Sequence, residues 1–166
     1  AAELCVLLDG QKFNGIEAIV HPVREHRFVV LFRTDHALSD EVADTDPQQT
    51  GVAPLQANPF SSPAQETAAA VNQFLARARE ILAGHEPANM IMLRGFSNIP
   101  SLPTMTDIYK LRPAAIAGYP MHRGLAKLAG MQILETGSHI VEEIQTLEDN
   151  YALYDFFFVH IKGADS

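Results

Sequence analysis

Apolar side chains recur at Val71, Phe74, Leu75, Ala78, Ile81 and Leu82, the three-and-four spacing of one helix face, and the pattern stops at Gly84. Pro63 suits a first helical turn and Ser61 or Ser62 stands where a cap belongs, so the stretch predicts a core-packing helix. Upstream, the run CVLL would suit a buried strand, but the spacing of Leu4, Leu7 and Leu8 favours a short helix ending at Gly10. The β-rich runs 16–22 and 26–33, separated by Val23, Arg24 and Glu25, predict an antiparallel hairpin. Residues 34–62 carry Pro47, Pro54, Pro59 and Gly51 without periodicity; they are expected to form a long functional loop or mobile surface.

Residues 89–135 alternate differently: apolar strand, Arg-Gly turn, Pro-bounded loop, helix, second apolar strand, Gly-Tyr-Pro turn, Arg-bearing helix and third short strand. That order winds a parallel sheet. Farther on, Ile140, Ile144, Leu147 and Tyr151 fall on one face of an amphipathic helix, opposite acidic residues. The run 155–161 is apolar throughout and is expected in the middle of a sheet. The expected fold is therefore α/β, a three-layer domain with a mostly parallel central sheet flanked by helices, plus an N-terminal β-hairpin.

In such a sheet ligands gather at the carboxyl ends of the strands. Arg94, Asn98, His122, Arg123, Lys162 and Asp165 all follow expected strands, so the reading brings them to one crevice. Guanidinium groups bind carboxylate and phosphate bidentately, and helix N-termini add backbone donors. The expected ligand is a small, multiply charged anion. A single Arg after a strand is ordinarily a solvated rim residue; it is the convergence that singles these out.

Composition narrows the class. With 166 residues, of which 47% are hydrophobic, the chain has enough apolar material for a sizeable core, and one domain is the natural count. A net charge of −8 and a pI near 5.2 argue against bulk attraction to nucleic acid or anionic lipid, so neither partner is expected. Cys5 stands alone, which excludes an internal disulfide and fits a reducing compartment. The seven histidines lack paired ligand spacing, and neither a G-x-S-x-G elbow nor a G-x-x-x-x-G-K-[ST] loop is present. Asp40, Glu41, Asp44 and Asp46 read as a solvated acidic face or as a cation site. The chain starts at AAELCVLL without an initiator Met and stops shortly after DFFFVHIK, so it is expected to be an excised piece of a longer protein.

The stretch LRGFSNIPSLPTMTDIYKLRPAAIAGYPMHRGLAKLAGM, with TDPQQTGVAPL upstream and DFFFVHIKGADS at the end, resembles the cofactor-independent phosphoglycerate mutases of the archaeal type, within the alkaline phosphatase superfamily. The resemblance implies an isomerase of glycolysis and gluconeogenesis, cytoplasmic, interconverting 3-phosphoglycerate and 2-phosphoglycerate through a phosphoserine intermediate. It also implies divalent metal (Mn, Zn or Mg), no 2,3-bisphosphoglycerate, and a phosphatase core into which a substrate-binding domain is inserted. On that reading residues 1–154 are the inserted domain, and 155–166 return to a core of the same chain that lies outside this sequence. The resemblance puts Lys162 beside the phosphorylated Ser, Asp165 on a metal-binding position and Arg123 on the phosphoglycerate, with Arg94, Asn98 and Arg33 as further substrate contacts. Two places depart from the pattern: Arg94 stands where archaeal members often carry an aromatic residue and Asn98 where a basic one is common, and FRTDHALSD replaces a commonly Gly-rich turn after the hairpin. The piece alone, without the nucleophile and most metal ligands, is expected to be inactive and to bind no metal. Two alternatives stay open: a related phosphotransferase or phosphohydrolase of the superfamily, and a non-catalytic anion-binding domain.

Overall fold

The computed structural model describes residues 1–137 and 139–162. The chain forms two compact units, 1–99 and 100–166, where length and composition suggested a single domain. Each unit has its own sheet, one antiparallel and one parallel.

In the first unit, helix α1 (Ala2–Leu8) precedes an antiparallel sheet of β1 (Gln11–Phe13), β2 (Ile16–Arg24) and β3 (Arg27–Arg33), in that order. The expected hairpin is there, and it carries an additional strand. Asn14 and Gly15 adopt φ of 49° and 87°, the left-handed pair of a tight hairpin turn, and thereby fold β1 back onto β2. Alternation along β2 turns Ile16, Ala18 and Val20 inward. Against the sheet packs α2 (Gln65–Leu82), the helix expected from its apolar stripe. Phe74 is fully buried, with the rings of Phe13 and Phe32 edge-on at 6.2 Å and 5.8 Å. Burial of such a ring contributes about 1.5–3 kcal/mol.

The serine caps are not made. Ser61 precedes a 3-10 turn at Ser62–Ala64, the residue before α2 is Ala64, and no side-chain cap bond forms at either place. The Pro63 turn displaces the serines from the capping position.

The expected strand at 89–93 is absent: residues 88–104 contain neither helix nor strand. The cause is visible at Leu93. Its N–H donates to the Thr45 hydroxyl at 2.8 Å, and its carbonyl accepts from the Thr45 N–H at 2.8 Å and from the Thr45 hydroxyl at 3.1 Å. A loop residue has taken the backbone groups that a neighbouring strand would use.

In the second unit, α3 (Met105–Tyr109) leads to β4 (Pro113–Ala117), α4 (Pro120–Leu128), β5 (Gln132–Leu134), α5 (Ile140–Asn150) and β6 (Phe156–His160). These strands are parallel, as expected, in the order β5-β4-β6. The middle strand is β4, whose five residues are all buried, whereas β6 lies at an edge among the described residues and is only half-buried. Small side chains at Ala114, Ala115 and Ala117 let α4 and α5 pack closely against β4. Thr104 and Asp107 cap α3 reciprocally. Gly130, at φ 76°, must be glycine: an added Cβ would lie 2.5 Å from the Thr104 Cβ.

Helix α5 is present, but its apolar face is not the buried one. Ile140, Ile144 and Tyr151 are exposed, while Glu143 is buried. The half-buried Thr146, Leu147 and Asn150 lie on the same side as Glu143, and the Thr146 hydroxyl donates to that of Thr136. Helical periodicity fixes which residues share a face, not which face meets the sheet.

Candidate functional site

The carboxyl edge of the parallel sheet is where the second unit concentrates its chemistry. Ala117 at the end of β4 is in register with His160 at the end of β6, and Ile116 with Leu134 at the end of β5. From β4 the chain turns through Gly118 and Tyr119 into α4, whose first turn begins at Pro120 and carries His122 and Arg123. Pro120 suits this place because the first helical N–H has no partner inside the helix.

Beyond β5 stands Glu135. Arg123 donates from Nη2 to Glu135 Oε1 at 2.5 Å, with the guanidinium side chain 36% and the carboxylate side chain 81% exposed. Beyond β6 stands Lys162, whose Nζ sits 5.6 Å from the centre of the Tyr119 ring. His122 and His160 stack at 3.4 Å with 23° between their planes, and Tyr119 lies 5.9 Å from His122. Arg123, Lys162 and these rings thus lie at one strand-end edge.

Arg94, Asn98 and Arg33 belong to the first unit. Arg94 Nη1 donates to Asp46 Oδ2 at 3.3 Å, the Gly95 N–H to Asp44 Oδ1 at 2.8 Å, and the Asn98 N–H to Asp40 Oδ2 at 3.0 Å. Asn98 Nδ2 also reaches the carbonyl of Leu38 at 3.1 Å. The acidic run is therefore neither a plain solvated face nor a cation cage: its carboxylates fasten loop 94–98. Arg33 pairs across the sheet with Glu17 at 2.6 Å, its register partner. Asp165 lies outside the described residues.

At the opposite, amino end of the parallel sheet, Arg112 and Asp155 form a two-pronged pair at 3.1 Å and 2.9 Å, and the Arg112 N–H adds a bond of 2.9 Å. The side-chain and then the backbone donors of Arg112 pull the Asp155 carboxyl down to about 2. This pair joins the starts of β4 and β6, at the end of the sheet away from Arg123 and Lys162.

Glu135, Tyr119 and His160 escaped the sequence reading as site residues. Their signal was available in the strand ends themselves: once β6 is set parallel to β4, the residues just past Ala117 and His160 become neighbours. A metal ion is implied by the resemblance, yet among the described residues no group of three or more His, Cys, Asp or Glu side chains is placed to hold one. The described residues do not make that site.

Taken together, a parallel three-stranded sheet flanked by helices, beside an antiparallel sheet, makes this a mixed α/β protein with Arg123 and Lys162 at the carboxyl edge of its parallel sheet. The family described as 2,3-bisphosphoglycerate-independent phosphoglycerate mutase matches residues 1–89, and the chain belongs to it. A probable 2,3-bisphosphoglycerate-independent phosphoglycerate mutase of Thermotoga maritima is 44% identical over 156 residues, covering 94% of this chain and 39% of the relative. One from Aquifex aeolicus is 44% identical, with the same two coverages of 94% and 39%. Among solved structures, a cofactor-independent phosphoglycerate mutase from Thermoplasma acidophilum superposes with a TM-score of 0.69 at 26% identity, covering 95% of this chain and 46% of that one. The chain thus spans 39% of the length of these curated relatives.

Proposed function

We propose that this chain is the substrate-binding part of an isomerase that interconverts 3-phosphoglycerate and 2-phosphoglycerate through a phosphoserine intermediate. Residues 1–154 form the substrate-binding domain and residues 155–166 lead into a phosphatase core carried by the rest of the protein. The observation that supports this most is that Arg123, in the first turn of α4, and Lys162, just past β6, both stand at the carboxyl edge of the parallel sheet in a chain of this family. Arg123 grips the carboxylate or phosphate of the ligand with its planar fork. Lys162 stands where an ammonium offsets charge on a phosphoryl group in transfer. Arg94, Asn98 and Arg33 are further contacts to the substrate; each, like Arg123, also holds a partner within its own unit. The divalent metal (Mn, Zn or Mg) belongs with the phosphatase core, and Asp165 is the residue of this chain assigned to it.

The reaction belongs to cytoplasmic glycolysis and gluconeogenesis and needs no 2,3-bisphosphoglycerate. Among the described residues no helix is long and apolar enough to cross a membrane. Calorimetric titration of the chain with 3-phosphoglycerate tests the proposal. Saturable binding that Arg123→Ala weakens at least tenfold supports it. Equal binding by parent and variant would overturn the role given to Arg123.

A further inference from the structure

Lys162 follows the end of the strand ladder, which closes at the Ala117 and His160 pair two residues before it. A lysine on a flexible four-carbon stem, past the end of a strand, ordinarily samples many rotamers. Here a ring lies under its ammonium. Tyr119 is two residues beyond Ala117, and Lys162 is two residues beyond His160, so equal steps off adjacent parallel strands bring them side by side. The backbone of Tyr119 is held at the entrance to α4, where Pro120 restricts it to an extended conformation, and its ring lies 5.9 Å from that of His122.

The same turn is pinned a second time. His122 lies against the strand-end rings of β6, stacked on His160 at 3.4 Å and 6.4 Å from Phe158. Phe158 and His160 share a face of β6 by alternation, so the two rings offer one platform to the first turn of α4. The resulting series, Lys162 to Tyr119 to His122 to His160, starts and ends on the same short piece of chain.

We propose that Tyr119 and His122 are positioning residues that hold the Lys162 ammonium at the carboxyl edge of the parallel sheet, Tyr119 through its ring face and His122 by stacking the α4 turn onto His160. What Lys162 does there rests on the mutase reading; where it stands does not. A ring face attracts the ammonium as a whole rather than through one N–H. The neighbouring Arg123 enters through the same pinned turn, so one set of rings spaces both cations.

The test is carbon-13 NMR of the chain after reductive dimethylation of its four lysines, Lys12, Lys110, Lys127 and Lys162. The Lys162 signal, assigned by its loss in Lys162→Arg, is expected at low frequency through the ring current of Tyr119. It should return towards the other lysines in Tyr119→Leu and remain displaced in Tyr119→Phe, which keeps the ring face. A nuclear Overhauser contact between the Lys162 methyl groups and the Tyr119 ring in the parent needs no variant, and so survives any folding defect in Tyr119→Leu. An undisplaced Lys162 signal without that contact, or a displacement that persists in folded Tyr119→Leu, overturns the placement. Movement of the signal on adding 3-phosphoglycerate is the separate arm. A displaced signal indifferent to the ligand supports the ring placement and counts against the mutase role of Lys162.

Discussion

The guanidinium of Arg123 already holds a carboxylate, that of Glu135, at 2.5 Å. Glycerate carries the same functional group, so on the proposed reading a substrate carboxylate competes with Glu135 for the Nη2 donor of Arg123. The carboxylate side chain is 81% exposed, and a pair this open to water contributes little. Glu135→Gln is therefore expected to tighten 3-phosphoglycerate binding by about two- to fivefold. Calorimetry on the two proteins checks this, and weaker binding by the variant would mean that Glu135 orients Arg123 rather than competing for it.

Thr45 is buried in the first unit and exchanges backbone and hydroxyl bonds with Leu93. Thr45→Val keeps the shape but removes the hydroxyl, leaving the Leu93 N–H without its acceptor. The expected loss is about 1–3 kcal/mol of unfolding free energy. Thr45→Ser, which retains the hydroxyl, should lose clearly less. Urea unfolding followed by circular dichroism reads both, and equal losses would place the effect in the methyl group.

The same bond explains what the sequence could not disclose. Periodicity found α1, the β2–β3 hairpin and α2 because each is decided by local spacing, and it found the parallel winding of β4, β5 and β6 from alternating strand and helix signals. Residues 89–93 have equally strand-like composition, but their backbone is captured by a threonine 48 positions away, a contact no window of neighbouring residues contains. The Asn14-Gly15 turn was legible and escaped notice because β1 has only three residues. For the site, Arg123 and Lys162 were legible as cations after strands. Glu135 and the rings of Tyr119 and His160 matter through register, which needs the order β5-β4-β6.

Asp155 gives the second unit a distinct acid response. Its folded pKa is about 2, below the ordinary aspartate value of about 3.9, because Arg112 donates to the charged form from side chain and backbone. A lowered carboxyl pKa contributes stability above about pH 3.9, and that contribution is lost as pH falls through about 2. Arg112→Gln should raise the Asp155 pKa towards the ordinary value and flatten the acid limb of stability over this window. Carboxyl carbon-13 titration of Asp155 in both proteins is the measurement, and an unmoved midpoint would refute the assignment to Arg112.

His36 gives the first unit the opposite dependence. Its Nδ1 lies 2.9 Å from Asp35 Oδ1 and its Nε2 2.9 Å from Glu66 Oε2, so the imidazole joins the start of the long loop to the first turn of α2. The hydrogen bond to Asp35, followed by that to Glu66, raises the His36 pKa, and the hydrogen bonds from His36 and then Thr34 lower that of Asp35. A raised histidine pKa contributes stability that is fully present below about pH 6.5 and is lost as pH climbs through the folded value. Glu66→Gln should bring the His36 midpoint down part of the way, because Asp35 still holds Nδ1. Asp35→Asn should lower it at least as far. Proton NMR of the imidazole across pH 5 to 9 reads both variants, with faster amide exchange in residues 34–40 expected above the midpoint in the parent. A parent His36 titrating at the ordinary histidine value would show that the two carboxylates do not hold the ring in solution.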